Sequence, residues 1–174
     1  FFLGSSNPVR FVDLFGRARD QRIMANRGVA GIDGSVSTAA GLALGGTPCY
    51  ALLGDLTFLH DTNGLLIGPA EPRPDLTVVV LNDDGGGIFA LLEQGAPEYA
   101  DSFERMFGTP HGTDLAALCA AHCLPHLLVS DRDKLLAALP PAVGPRVIEI
   151  RVDRAGLRDW QARVFRAVAE SLVG

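Results

Sequence analysis

The chain is short of lysine, cysteine and long apolar runs, and each scarcity excludes something. Lys134 is the one lysine among 15 basic residues, a bias that reads as genomic composition rather than mechanism. Net charge is −5 and no basic run occurs, so neither nucleic acid nor an anionic membrane is an expected partner. No apolar stretch approaches the ~20 residues that span a bilayer. Cys49, Cys119 and Cys123 are an odd number with no disulfide framework, and a reducing, cytoplasmic setting is expected. Internal repeats, low-complexity tracts and long linkers are absent. The first residue is not Met. The opening Phe1-Phe2-Leu3-Gly4 reads as mid-strand, so a longer polypeptide is expected around these 174 residues. What remains is 48% hydrophobic and long enough for one domain, residues 1–174, with a real core.

Five short apolar runs read as strands: 1–3, 49–53, 76–81, 126–129 and 147–152. They are continuous rather than alternating, as in strands covered on both faces. Helical patterns fall between them, at 8–15, 35–44, 56–67, 113–123, 131–139 and 156–173, with Ser35 and Thr113 as candidate N-caps. This alternation predicts an α/β fold, a mainly parallel central sheet with helices on both faces. Ligands of such folds bind at the carboxyl ends of the strands. The stretch 85–112 is glycine-rich and weakly patterned, which suggests an active-site loop or lid.

Two strands end in acid. One closes on Gly54-Asp55, the other on Asn82-Asp83-Asp84 followed by Gly85-Gly86-Gly87. The chain between them suffices for one crossover helix, so the strands can be neighbours. Carboxylates with a backbone carbonyl are hard oxygen ligands, suited to Mg²⁺ or Ca²⁺, and Mg²⁺ commonly shares phosphate oxygens. Glycines allow the backbone to approach a ligand, and a helix starting at Asp55 offers N–H donors to phosphate. The residues therefore propose a metal-bridged diphosphate. The bland alternative makes Asp55 a helix cap and the NDDGGG run a surface turn.

The pattern resembles the thiamine diphosphate (ThDP) motif, in which GDG is followed some two dozen or more residues later by NN. Here it stands as GDL and NDD, with Leu56 in place of Gly and Asp83 in place of the second Asn. The resemblance implies Mg²⁺ (or Mn²⁺) held by Asp55, Asp83 and the carbonyl of Gly85, with Asn82 the neighbouring register for the second ligand. SSNPVR, ANRGVAGIDGSVSTAAGLALG, GDLTFLHDTNGL and NDDGGGIFALL are together similar to the C-terminal cofactor (PP) domain of the SEPHCHC synthase family of menaquinone biosynthesis. Most of the chain takes part. The resemblance implies a transferase that decarboxylates 2-oxoglutarate on ThDP and adds the resulting carbanion equivalent to isochorismate, the cofactor serving as electron sink. It places Ser5, Ser6, Gly54, Leu56 and Thr57 by the diphosphate and metal, the Ala30 carbonyl by the aminopyrimidine, Ile32 as the prop for the cofactor's bent form, and Ile88, Phe89 and Leu92 in the substrate pocket. Arg10 and Arg27 become readers of substrate carboxylates, which guanidinium forks pair bidentately. Without that context, both arginines are ordinary surface charges and the apolar residues ordinary core. The activating glutamate is expected on a pyrimidine-binding (PYR) domain of a neighbouring subunit, in a homodimer or homotetramer. Alternatives are another ThDP-dependent 2-oxoacid decarboxylase or carboligase, or a non-catalytic phosphate- or nucleotide-binding module. Against the module, neither a P-loop nor GxGxxG follows the first strand.

Cys119, His122, Cys123 and His126 mimic a metal stripe. Four ligands on one helix cannot surround a tetrahedral zinc, and Pro125 breaks the helix before His126. Buried thiols on an amphipathic helix explain the pattern better. His60 and His111 are candidate proton donors.

Overall fold

The computed structural model describes residues 1–17, 20–26 and 28–173. In chain order the main elements are β1 (Phe2–Leu3), α1 (Asn7–Phe15), α2 (Ser35–Ala43), β2 (Cys49–Gly54), α3 (Asp55–His60), β3 (Leu76–Asn82), α4 (Ala100–Phe103), α5 (Leu115–Ala121), β4 (His126–Val129), α6 (Arg132–Ala138), β5 (Arg146–Arg151) and α7 (Leu157–Val173). They fall into two compact units: Phe1–Asn82 with Thr113–Arg151, and Asp83–Gly112 with Val152–Gly174.

The first unit holds the sheet. Its five strands run parallel in the order β1-β2-β3-β5-β4, so the expected α/β class and all five expected strands are present. Central β3 is buried from Leu76 through Val80, as expected of a strand covered on both sides. One face carries the larger core, in which Val36 and Ala39 of α2, Phe58 of α3 and Leu115 and Cys119 of α5 pack with Leu53, Val78, Val80 and Val147. The opposite face packs Val79, Val129 and Ile148 against Leu135 and Leu139. Phe58 is fully buried, and its truncation to Ala is expected to destabilise the unit by roughly 3–5 kcal/mol.

Three local expectations are corrected. The helix expected at 56–67 stops at His60, because Asp61 leaves helical geometry (φ −129°) and its carboxylate accepts from Ser37 N at 2.7 Å and Ser37 Oγ at 3.1 Å; a 3₁₀ turn, Thr62–Leu65, follows. Tertiary hydrogen bonding thus overrides the helical pattern. The cap of α2 is Gly34 in the left-handed region, with Ser35 already inside the helix. The cap of α5 is Asp114 rather than Thr113, its Oδ1 accepting from Ala117 N at 3.0 Å, the stronger of two adjacent capping types.

The second unit is more ordered than its glycine content suggests. Residues 85–112 form consecutive short helical turns, with 3₁₀ turns at Gly87–Leu91, Glu93–Gly95 and Pro97–Tyr99, then α4 and a π turn at Glu104–Gly108. Arg154, just before α7, and Arg158, in its first turn, hold this stretch and the turn that leads into it. Arg158 donates to the carbonyls of Ala90 and Leu92, and Arg154 to those of Asp83 and Asp84. No helix among the described residues is long and apolar enough to cross a membrane.

Candidate cofactor site

The first unit brings three strand ends abreast. Leu3 of β1 is in register with Leu52, and Gly4 N donates to Leu52 O at 2.9 Å. Gly54 of β2 is in register with Leu81 of β3, so the chain passes into Asp55 directly beside Asn82. Neighbouring β2 and β3, inferred from spacing alone, are therefore adjacent. The space where Gly54 would carry a side chain is open. Asp55 is 1% exposed and its Oδ1 accepts from Leu56 N at 2.7 Å; Thr57 is also buried and Leu56 half-buried.

At the end of β1, half-buried Ser5 and Ser6 lead into α1. Ser6 has φ +76°, a region a non-glycine residue occupies only when its surroundings enforce it. Asn7 follows, 8% exposed, with Oδ1 buried and without a protein hydrogen-bond partner. Arg10 is exposed and Nη1 donates to Ser6 O at 2.9 Å, so its guanidinium stands over the serine turn. Ile32 is half-buried just before α2, its carbonyl accepting from Ser35 Oγ, and Ala30 is exposed. Arg27 lies outside the described residues.

Glu149, in the middle of β5, carries the most unusual side chain of this unit. It is 1% exposed in a strand that otherwise turns Val147 and Ile148 into the core. Asn82 Nδ2 donates to its Oε1 at 2.8 Å, Arg151 Nε to the same oxygen at 3.0 Å, and His126 Nε2 approaches Oε2 at 2.9 Å. Burial pushes the Glu149 carboxyl up, but these three partners outweigh it and hold the group below its ordinary 4.5. A carboxylate has no proton to give, so His126 presents an N–H there. Sequence reasoning missed Glu149; the available signal was one acid inside the apolar run Val147-Ile148-Glu149-Ile150. The cysteine–histidine stripe is accounted for by placement. His126 sits in β4 on Glu149, Cys119 is buried in α5, Cys123 is exposed at φ +54°, and His122 Nδ1 is buried without a partner.

In the second unit, steric contact explains the three glycines after Asp84. A side chain at Gly85 (φ +139°) would strike Gly108 O, one at Gly86 would strike Phe107 O, and one at Gly87 would strike the Asp83 carboxylate. Gly86 N donates to Gly108 O at 2.7 Å, closing the turn on the π segment. Asp84 (φ +56°) accepts from Gly112 N at 2.8 Å and His111 N at 3.1 Å. The Gly112 amide chiefly, with the His111 amide and the His111 and Arg154 charges, holds the Asp84 carboxyl below its usual 3.8 against desolvation, the second-largest effect. Arg154, only 15% exposed, sets Nη1 on Asp83 O at 2.6 Å and on Asp84 O while Nη2 pairs with Glu104. Phe89 packs its ring 5.6 Å from that of Phe107; Ile88 is half-buried and Leu92 exposed. His111 is half-buried, with Nδ1 3.6 Å from Asp84 Oδ1, whereas His60 is exposed at the end of α3.

Among the described residues no three His, Cys, Asp or Glu side chains cluster as a ready metal cage. The donor set nevertheless fits a hard cation that takes part of its coordination from phosphate. A buried carboxylate stands at Asp55, glycine leaves open space at the strand end, and an unpartnered buried Asn7 oxygen lies at the first turn of nine-residue α1.

A parallel sheet with its polar and acidic residues gathered at the carboxyl strand ends defines a phosphate- or cofactor-binding α/β protein. The chain belongs to the thiamine pyrophosphate enzymes as their C-terminal TPP-binding domain, whose family model matches residues 5–150. It is 61% identical over 174 residues to the 2-succinyl-5-enolpyruvyl-6-hydroxy-3-cyclohexene-1-carboxylate synthase of Saccharopolyspora erythraea, covering 99% of this chain and 31% of that one. A synthase of the same name from Rhodococcus erythropolis is 59% identical over 166 residues, covering 93% and 31%. The chain thus spans 31% of the length of these curated relatives. The crystal structure of benzoylformate decarboxylase from Polynucleobacter necessarius matches with a TM-score of 0.67 over 88% of this chain and 30% of that one, at 24% identity, a likeness of fold.

Proposed function

We propose that this chain is the diphosphate- and metal-binding part of a cytoplasmic ThDP-dependent transferase of menaquinone biosynthesis. The transferase moves a succinyl unit from 2-oxoglutarate, with loss of CO₂, to isochorismate. The observation that carries the reading is the register of β2 with β3, which sets buried Asp55 beside Asn82, the last residue of β3. The names of the relatives support the substrates. In this reading Asp55, Asp83 and the Gly85 carbonyl hold Mg²⁺, Ser5, Ser6, Gly54, Leu56 and Thr57 serve the diphosphate, the Ala30 carbonyl meets the aminopyrimidine, and Ile32 props the cofactor into its bent form. Bound ThDP supplies the electron sink for decarboxylation and carbon–carbon bond formation. The chain's own residues hold the metal against the diphosphate with their carboxylates and orient the diphosphate with hydroxyl and N–H donors. Arg10 and Arg27 bind substrate carboxylates, and Ile88, Phe89 and Leu92 line the pocket. The activating glutamate comes from the PYR domain of a neighbouring subunit in a homodimer or homotetramer, so the 174 residues alone do not turn over.

The test is an assay of the intact polypeptide with 2-oxoglutarate, isochorismate, ThDP and Mg²⁺. Consumption of both substrates with CO₂ release is expected. Turnover of pyruvate but not of 2-oxoglutarate would overturn the substrate assignment. Calorimetric binding of a nucleoside diphosphate in preference to ThDP would overturn the cofactor as well.

A further inference from the structure

Glu149 stands apart from every residue assigned a role above. An unpaired carboxylate in the core of a strand is costly, and a hydrophobic residue would fill the position without that penalty. The structure instead supplies donors from three strands: Asn82 from β3, His126 from β4 and Arg151 from β5 itself. The buried Cys119 thiol of α5 also lies within reach of the Glu149 charge. Asn82 is the last residue of β3. Binding its amide nitrogen to a fixed carboxylate locks the rotamer and turns the amide oxygen away from Glu149. The strand end is thereby pinned at the residue immediately before Asp83.

We propose that Glu149 is a positioning residue for the cofactor turn: by accepting the Asn82 amide in the core, it fixes the strand end from which the ligands at Asp83 and Gly85 follow. The proposal rests on the ThDP–Mg²⁺ reading for its functional consequence and on the Glu149–Asn82 hydrogen bond for its geometry. It distinguishes two uses of polar residues in one motif. Asp83 and the Gly85 carbonyl meet the metal, whereas Asn82 faces inward and anchors them. Support of this kind is characteristic of metal sites, where loss of an outer partner weakens binding by roughly 10–100-fold without removing a ligand.

The experiment reverses the polarity of the pair in the intact polypeptide, comparing Glu149→Gln, Asn82→Asp and the double variant. Asn82→Asp alone sets two carboxylates face to face. Glu149→Gln alone leaves one acceptor oxygen for three donors. Together they restore a donor–acceptor pair, with the amide now on β5 and the carboxylate on β3, and keep one negative charge near Arg151. Two readouts are taken: Mg²⁺-dependent ThDP affinity by calorimetry, and hydrogen exchange of the amides at 83–87 in cofactor-free protein. Each single variant is expected to weaken affinity by about 10-fold or more and to speed exchange, and the double to recover most of both. Wild-type affinity and exchange in Glu149→Gln, or a double variant as impaired as its two singles combined, would overturn the proposal. Should Glu149→Gln fail to fold, Asn82→Ala at the half-buried strand end removes the donor alone; unchanged exchange there would equally overturn it. If wild-type protein binds no ThDP, the cofactor reading falls, while the exchange measurement still decides whether Glu149 pins the turn.

Discussion

Gly87 and Asp83 share a space that admits one side chain. An ideal Cβ on Gly87 would lie 1.9 Å from Asp83 Oδ2, far inside contact distance. The carboxylate therefore lies folded back over its own turn, and the smallest substitution displaces it. Gly87→Ala is expected to leave the fold intact, since φ at Gly87 is not in the left-handed region and Asp83 is a half-buried side chain that can swing aside. It should reduce Mg²⁺-dependent ThDP affinity by about 10–100-fold, the usual effect of misplacing a ligand through its neighbour. Calorimetry with and without Mg²⁺ tests this, and an unchanged affinity would remove Asp83 from the ligand set.

If Asp55 holds the metal as proposed, Asp55→Ala should abolish Mg²⁺-dependent cofactor binding, because it would delete a coordinating oxygen and leave the diphosphate charge uncompensated. Asp83→Asn should be mild, since an amide oxygen remains available to the metal. The informative comparison is between Asp83→Ala and Asn82→Asp. The first removes an oxygen outright, whereas the second offers the metal a better ligand if Asn82 were the coordinating residue. Tighter Mg²⁺ binding in Asn82→Asp would move the ligand register by one residue and count against the inward role of Asn82.

The sheet was legible because its signals are local and redundant. Each strand is a short apolar run, and the Leu76–Val80 run is buried throughout. The helix ends were less legible because they turn on partners distant in sequence. Asp61 ends α3 by binding Ser37, which no window around residue 61 contains. The adjacency of the two strands that end in acid was legible where residue type and spacing speak together, at Asp55 and the NDD run. The role of the three glycines was not, because their obstacles are Gly108 O, Phe107 O and the Asp83 carboxylate, all set by the turn itself. Glu149 showed in the sequence only as one acid inside an apolar run, and its role was not legible because its three partners come together only once β3, β4 and β5 are paired.

Arg10 offers a test of substrate recognition separate from cofactor binding. Its guanidinium is exposed and tethered to the Ser6 carbonyl, so one nitrogen is occupied and the remaining donors face outward. Arg10→Ala should leave ThDP affinity largely intact and lower kcat/KM for one of the two proposed substrates, 2-oxoglutarate or isochorismate. Loss of a charge-assisted bidentate contact is worth roughly 2–3 kcal/mol, or about 30- to 150-fold. Arg10→Lys should also be impaired, because an ammonium lacks the planar fork. Kinetics at saturating ThDP, varying each substrate in turn, identify the one affected. Wild-type kcat/KM for both would make Arg10 an ordinary surface charge.

Cys119 gives the alkaline limb of stability a specific origin. Its thiol is buried in α5, and burial first, then the negative charge of Glu149, pushes its pKa from 9.0 up to about 11. Below pH 9 the thiol is protonated both folded and unfolded and contributes no pH dependence. Between 9 and 11 the unfolded chain releases this proton while the folded chain keeps it. The unfolded state then binds fewer protons, so stability falls as pH rises through this window. Cys49 is shifted in the same direction, chiefly by burial, and adds to the slope. Urea unfolding midpoints between pH 7.5 and 10.5 should therefore decline, and Cys119→Ala should flatten the decline while lowering the midpoint at neutral pH through lost packing. In the folded protein a thiol-directed reagent should modify exposed Cys123 first and reach Cys119 only on unfolding. Equal slopes in wild type and Cys119→Ala would show that this thiol ionises as freely folded as unfolded, and that Glu149 exerts no field upon it.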